Sequence, residues 1–174
     1  VPVGSSCFGI QGFKTIAFEL FEAFGEGMPD YVFVPSCRGD LLYGIYEGFL
    51  DLVGQKLLSR LPRMVAAEPL PRLEHVLRGE DYRGKFPGSA PLTPSIGGNT
   101  ATWQSKVALE NSGGFAVSVP NDRVVDDILE MGRHGFYLES SSALNLGCLK
   151  KAVAEGSVPA GAGVVLISTS NGYK

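Results

Sequence analysis

Tyr31-Val32-Phe33-Val34-Pro35 is an unbroken apolar run of β-branched and aromatic side chains. It is too short for a helix and of the kind carried by a parallel strand buried on both faces. A polar break containing Gly39 follows, and Leu42, Ile45, Phe49 and Leu52 then recur at helical spacing. The pattern predicts a strand that turns tightly into an amphipathic helix from about Asp40 to Val53, with Asp40 as its N-cap. In α/β proteins such a turn aims backbone N–H groups and the positive end of the helix dipole at one spot, a natural seat for a phosphate.

The same reading extends along the chain. Val1 to Gly12 is a Gly- and Ser-rich lead-in with a short edge strand at Val1–Val3. Ile16, Ala17, Leu20, Ala23 and Phe24 share one face of a helix from Lys14 to Glu26, stopped by Gly25 and Gly27. Gly44 and Gly48, four apart on the next helix, allow a neighbouring backbone to come close. Arg63 to Ala67 predicts a second strand. Residues 68–98, punctuated by Pro69, Pro71, Pro87, Pro91 and Pro94, read as an irregular surface excursion with a short helix near Leu73–Arg78. A helical pattern resumes from Thr100 to Asn111, and Phe115 to Val119 is a third strand. Pro120-Asn121-Asp122 caps a helix through Val124, Val125, Ile128 and Leu129. Phe136-Tyr137-Leu138 is a brief extended piece, Glu139 to Ser142 opens a further helix, and Val164 to Ser168 is a last strand.

Strands alternating with helices predict a three-layer α/β fold over residues 1–174, its sheet mainly parallel with helices on both faces. Ligands in such sheets bind beyond the carboxyl ends of the strands. Two polar, glycine-bearing turns lie there, Ser36–Asp40 and Thr169–Gly172.

With 174 residues, 44% hydrophobic and 19% charged, the composition is that of a globular domain with a sizeable core. A formal charge of −3 leaves no footprint for nucleic acid or an anionic membrane surface. Apolar runs fall well short of the roughly 20 residues of a membrane helix. Cys7, Cys37 and Cys148 have no disulfide or metal-ligand spacing, which is read as a reducing, cytoplasmic location. His75 and His134 read as solvated, and the pair Asp126-Asp127 as the exposed face of a helix rather than a metal site. Cys37 stands at a helix N-terminus, yet no motif brings a histidine to it, so it is not read as a nucleophile.

Five motifs, in order, carry a resemblance. They are Gly12-Phe13-Lys14-Thr15 with Glu19; Asp30 to Phe49; Gly98-Asn99-Thr100-Ala101-Thr102-Trp103; Glu139-Ser140-Ser141-Ser142-Ala143; and Val164 to Lys174. Together they resemble the C-terminal half of the large domain of threonine synthase, and more widely the pyridoxal-phosphate enzymes that share the tryptophan-synthase β-subunit fold. The resemblance implies pyridoxal phosphate as cofactor and a lyase of amino-acid metabolism that eliminates or replaces at the β or γ carbon of an amino-acid substrate. By the same resemblance Cys37, Arg38, Gly39, Asp40 and Leu41 wrap the cofactor phosphate with backbone N–H groups. Thr169 hydrogen-bonds the pyridine nitrogen and leaves it unprotonated.

The family's phosphate loop is Gly-Asn-Gly-Gly-Asn, and here it reads Cys37-Arg38-Gly39-Asp40-Leu41. Its Schiff-base lysine belongs to an N-terminal segment and small domain that match nothing in this chain, and Lys14, Lys56, Lys85, Lys106, Lys150, Lys151 and Lys174 match no Schiff-base position. The chain opens at Val1 without an initiator methionine, which is read as a sign that something upstream has been removed. The resemblance thus implies that the chain is inactive alone and works with the remaining N-terminal part of the enzyme or a second chain. Association with itself is also expected, because sheet edge and helix surface would otherwise stay uncovered. The alternative is a non-catalytic domain of this fold that serves as a binding or partner-interaction module.

Overall fold

A computed structural model describes residues 7–173, so the edge strand expected at Val1–Val3 lies outside the described residues. Four strands, β1 (Tyr31–Pro35), β2 (Arg63–Glu68), β3 (Phe115–Ser118) and β4 (Val164–Leu166), form one sheet in the order β3-β2-β1-β4. All neighbours pair in parallel, with Tyr31 opposite both Arg63 and Val164. The helices are α1 (Cys7–Phe24), α2 (Asp40–Gly54), α3 (Arg72–Leu77), α4 (Trp103–Asn111), α5 (Val124–Arg133) and α6 (Ser140–Ala154). This is the expected mainly parallel α/β architecture.

Alternation along the strands divides the core into two. Val32, Val34, Met64 and Ala66 point to one face, packed with residues of α1 to α4. Tyr31, Phe33, Val65, Ala67 and Val117 point to the other, with Ala143, Leu144, Cys148 and Ala152 of α6. Burial on both sides explains why these strands read as continuous apolar runs.

α1 begins at Cys7, seven residues before the expected start. Gly9 and Gly12 hide its beginning in the sequence, because glycine has low intrinsic helix propensity and only packing against α2 outweighs it. Ala17 is buried and Leu20 and Phe21 pack on the core, whereas Ala23 and Phe24 are exposed, so the last turn leaves the expected face. The α1–α2 contact needs the two glycines of α2. A Cβ on Gly44 would lie 2.5 Å from Phe13 Cβ, and one on Gly48 would lie 2.6 Å from the Lys14 carbonyl oxygen. Because the obstacle at Gly48 is backbone, Gly48→Ala is expected to cost about 1–3 kcal/mol through forced separation of the helices, measurable by urea unfolding.

Several local expectations are corrected. Gly39, at φ +88°, is the N-cap of α2, and Asp40 is its first helical residue. Asn121 does not cap α5; its side chain accepts from Leu92 N (2.8 Å) and donates to Thr93 Oγ1 (2.7 Å). Asp127 is buried rather than exposed, because it packs against Gly147 of α6 and accepts from Lys150 Nζ at 3.3 Å. That burial raises its pKa, against the pull of Lys150. His75 is not merely solvated: it stacks on Phe86 and its Nδ1 lies 2.6 Å from Glu80 Oε1. The stretch 68–98 is mostly irregular, yet it delivers Glu68, Leu70, Arg72, Leu73, Val76, Phe86 and Thr93 to the interior.

Candidate functional site

The chain runs β1, β2, β3 toward one edge of the sheet and then places β4 on the other side of β1. The crevice beyond the carboxyl ends of β1 and β4 is therefore the point where strand order reverses, the usual ligand position in open α/β sheets. A cleft of about 450 Å³ opens there. Its lining includes Cys37, Arg38, Gly39, Asp40 and Leu41 from the turn after β1 and Thr169 from the turn after β4. All six residues singled out from the sequence thus face one cavity. Phe13, Pro35, Ser95, Ile96, Glu139 and Ser170 complete its walls.

The turn after β1 is held from behind. Gly39 supplies the left-handed conformation, and its bare Cα sits so close to α4 that a Cβ would fall 2.3 Å from Ser105 Cβ. Thr102, the N-cap of α4, donates its hydroxyl to the Arg38 carbonyl at 2.7 Å and forms a capping box with Ser105. Deeper still, Arg72 is fully buried and gathers distant segments. Its Nε donates to Glu68 Oε1 (3.1 Å), its Nη2 to the Ser36 carbonyl (2.8 Å), and its Nη1 to the Gly98 carbonyl and to Cys37 Sγ (3.3 Å). The other oxygen of Glu68 accepts from Leu73 N at 2.9 Å. Burial pushes the Glu68 carboxyl above its ordinary value, and Arg72 and the Leu73 amide pull it back.

No side chain caps α2. Its first-turn amides, which have no partner within the helix, are left to whatever enters the cleft, and the dipole there favours an anion. Arg38, exposed on the lining, adds positive charge, and the Asp40 carboxylate opposes it. Two unit charges about 4 Å apart repel by about 4 kcal/mol at an effective dielectric near 20, so Arg38 must face inward for the turn to hold a dianion well.

The opposite wall is held by α6. Ser142 Oγ accepts from Thr169 N (3.0 Å) and Ser170 N (3.1 Å) and lies 2.9 Å from Thr169 Oγ1. Asn145 Nδ2 donates to the Ile167 carbonyl at 2.8 Å. The extended piece at 136–138 pairs back, Leu138 bridging Asn171 in antiparallel sense, and this brings Glu139 to the cleft. Ser95 Oγ sits 3.3 Å from Glu139 Oε1 and 2.5 Å from Ser141 Oγ. Sequence reasoning missed Arg72, Ser95 and Ile96. The residues Phe13, Glu139 and Ser142 stood inside quoted motifs without an assigned part. Among the described residues, no group of three or more His, Cys, Asp or Glu could hold a metal ion, and no helix is long and apolar enough to cross a membrane.

A parallel α/β sheet whose strand-order reversal opens a cleft, lined by the uncapped N-terminus of α2 and by Thr169, defines an α/β protein with its candidate ligand site at the carboxyl ends of the strands. The sequence profile of the family described as pyridoxal-phosphate dependent enzyme matches residues 1–170, and the chain belongs to that family. It is 27% identical over 173 residues to threonine synthase of Methanocaldococcus jannaschii, covering 96% of this chain and 43% of that protein. Threonine synthase of Mycobacterium tuberculosis H37Rv is 29% identical over 170 residues, covering 95% of this chain and 45% of that protein. The fungal L-serine ammonia-lyase of Rhizomucor miehei superposes with a TM-score of 0.76 at 18% identity, over 98% of this chain and 54% of its own, which speaks for the fold alone. The chain is thus threonine synthase-like and spans less than half the length of those threonine synthases. Membership implies pyridoxal phosphate as the cofactor. The lining suits that group in kind: the uncapped N-terminus of α2 and Arg38 favour an anion, against the Asp40 carboxylate, and Thr169 brings a hydroxyl to the same cleft.

Proposed function

We propose that this chain is the part of a threonine synthase-like lyase that holds the cofactor, with the Schiff-base lysine supplied by the remaining N-terminal part of the enzyme or by a second chain. The observation that carries this reading is the single cleft shared by the turn after β1 and Thr169. Backbone N–H groups of Cys37 to Leu41 would hold the phosphate, Gly39 shaping the turn and Arg38 offsetting Asp40. Thr169 would bond the pyridine nitrogen. Bound pyridoxal phosphate supplies an electron sink for elimination or replacement at the β or γ carbon of an amino acid. The exposed Leu129, Phe136, Tyr137 and Tyr173 support association with a second copy or with the rest of the enzyme.

The single tryptophan, Trp103, adjoins Thr102, whose hydroxyl binds the Arg38 carbonyl, so its fluorescence reports on the turn. Titrating the chain with pyridoxal phosphate is expected to give saturable quenching that inorganic phosphate reverses. Arg38→Glu should weaken binding about tenfold or more and Asp40→Asn should tighten it by a similar factor, as like and unlike charges near the phosphate dictate. Quenching that phosphate does not reverse, or none at all, overturns the reading and favours the non-catalytic interaction module.

A further inference from the structure

Ser142 has three polar neighbours and one hydrogen to give. It lies in the first turn of α6, buried, with Thr169 N at 3.0 Å, Ser170 N at 3.1 Å and Thr169 Oγ1 at 2.9 Å from its Oγ. A hydroxyl carries one donor hydrogen and two acceptor lone pairs. The two amides can only donate, so they take both lone pairs of Ser142. Its own hydrogen must then go to Thr169 Oγ1. That oxygen is an acceptor within the pair, and its hydrogen is left to point elsewhere. Because Thr169 lines the cleft, that hydrogen is what this wall offers a ligand.

We propose that Ser142 is a positioning residue which fixes the Thr169 hydroxyl as a donor, so that the cleft selects a ligand ring with an unprotonated acceptor nitrogen. The inference rests on the functional reading above and deepens it. The arrangement is built rather than incidental. β4 ends at Leu166, and the backbone beyond it is held by two α6 side chains, Asn145 on the Ile167 carbonyl and Ser142 on the amides of Thr169 and Ser170. With Ser142 removed, Thr169 could rotate and present either its hydrogen or a lone pair. The wall would then no longer distinguish an acceptor nitrogen from a C–H or an N–H in the same place.

The test compares two probes on the full chain by equilibrium dialysis: pyridoxal phosphate, and its isosteric analogue with C–H in place of the ring nitrogen. Wild type is expected to prefer the nitrogen-bearing probe about fivefold to tenfold, the size of one hydrogen bond. Thr169→Val should abolish that preference and Ser142→Ala should bring it toward parity, while competition by inorganic phosphate at the far wall stays unchanged. If both probes bind and Ser142→Ala keeps the full preference, or wild type has none, the proposal is overturned while the cofactor reading stands. If wild type binds neither probe, the cofactor reading fails and this proposal falls with it.

Discussion

Arg72→Met is expected to remove about 3–5 kcal/mol of stability, because it leaves the Glu68 carboxylate buried without its charge partner. The loss should appear as a fall of roughly 10 °C or more in Tm for a chain of this size. Glu68 and Arg72 are both fully inaccessible, and both oxygens of the carboxylate accept hydrogen bonds, from Arg72 Nε and Leu73 N. Without the guanidinium the carboxyl takes up a proton rather than remain charged in that environment. The carbonyls of Ser36 and Gly98 lose their donor at the same time. The double variant Glu68→Gln/Arg72→Met should recover part of the loss, since removing both ends of a buried pair costs less than removing one. Losses that simply add would show that the two residues do not act as a pair.

Gly39→Ala is the second large effect. The residue sits at φ +88°, where an L side chain costs roughly 1–2 kcal/mol on backbone grounds alone. Its new methyl would also fall 2.3 Å from Ser105 Cβ, well inside contact distance. The turn or α4 must move, and with it the amides that open α2. The expected result is a loss of about 3 kcal/mol or more, together with loss of the phosphate-reversible quenching of Trp103. Adding Ser105→Gly should relieve the collision but not the backbone strain, so a partial rescue of stability is expected. Stability and phosphate response indistinguishable from wild type in Gly39→Ala would show that the turn is not held as described.

The parts of this molecule that could be read from its sequence are those where one physical force dominates. Tyr31–Pro35 is buried on both faces, so its apolar run had a single meaning, and α2 declared itself through the spacing of Leu42, Ile45, Phe49 and Leu52. Gly44 and Gly48 likewise announced a close approach, although not that α1 was the neighbour. The two site turns were legible by position, because parallel strands put their carboxyl ends together whatever the residues are. The rest depended on tertiary geometry that no local pattern encodes. Arg72 in a short helix looks like any solvated charge, and only the fold turns it inward against Glu68. Asp127 sits beside Asp126 in sequence, yet the adjoining α6 buries the first and leaves the second exposed. Asp40 had the chemistry of a cap, but the left-handed turn could be made only by the glycine before it. Ser142 stood in a quoted motif, but its three partners come from a turn 27 and 28 residues away.

The position of β4 has a thermodynamic consequence. It is both the strand that carries Thr169 to the cleft and, among the described residues, an edge strand of the sheet, only three residues long and half-buried. A strand laid along it by a second polypeptide would order the same wall that a ring-bearing ligand must find in place. Assembly and ligand capture would then share one free energy, so whatever factor the partner adds to ligand affinity, the ligand must return to the partner's.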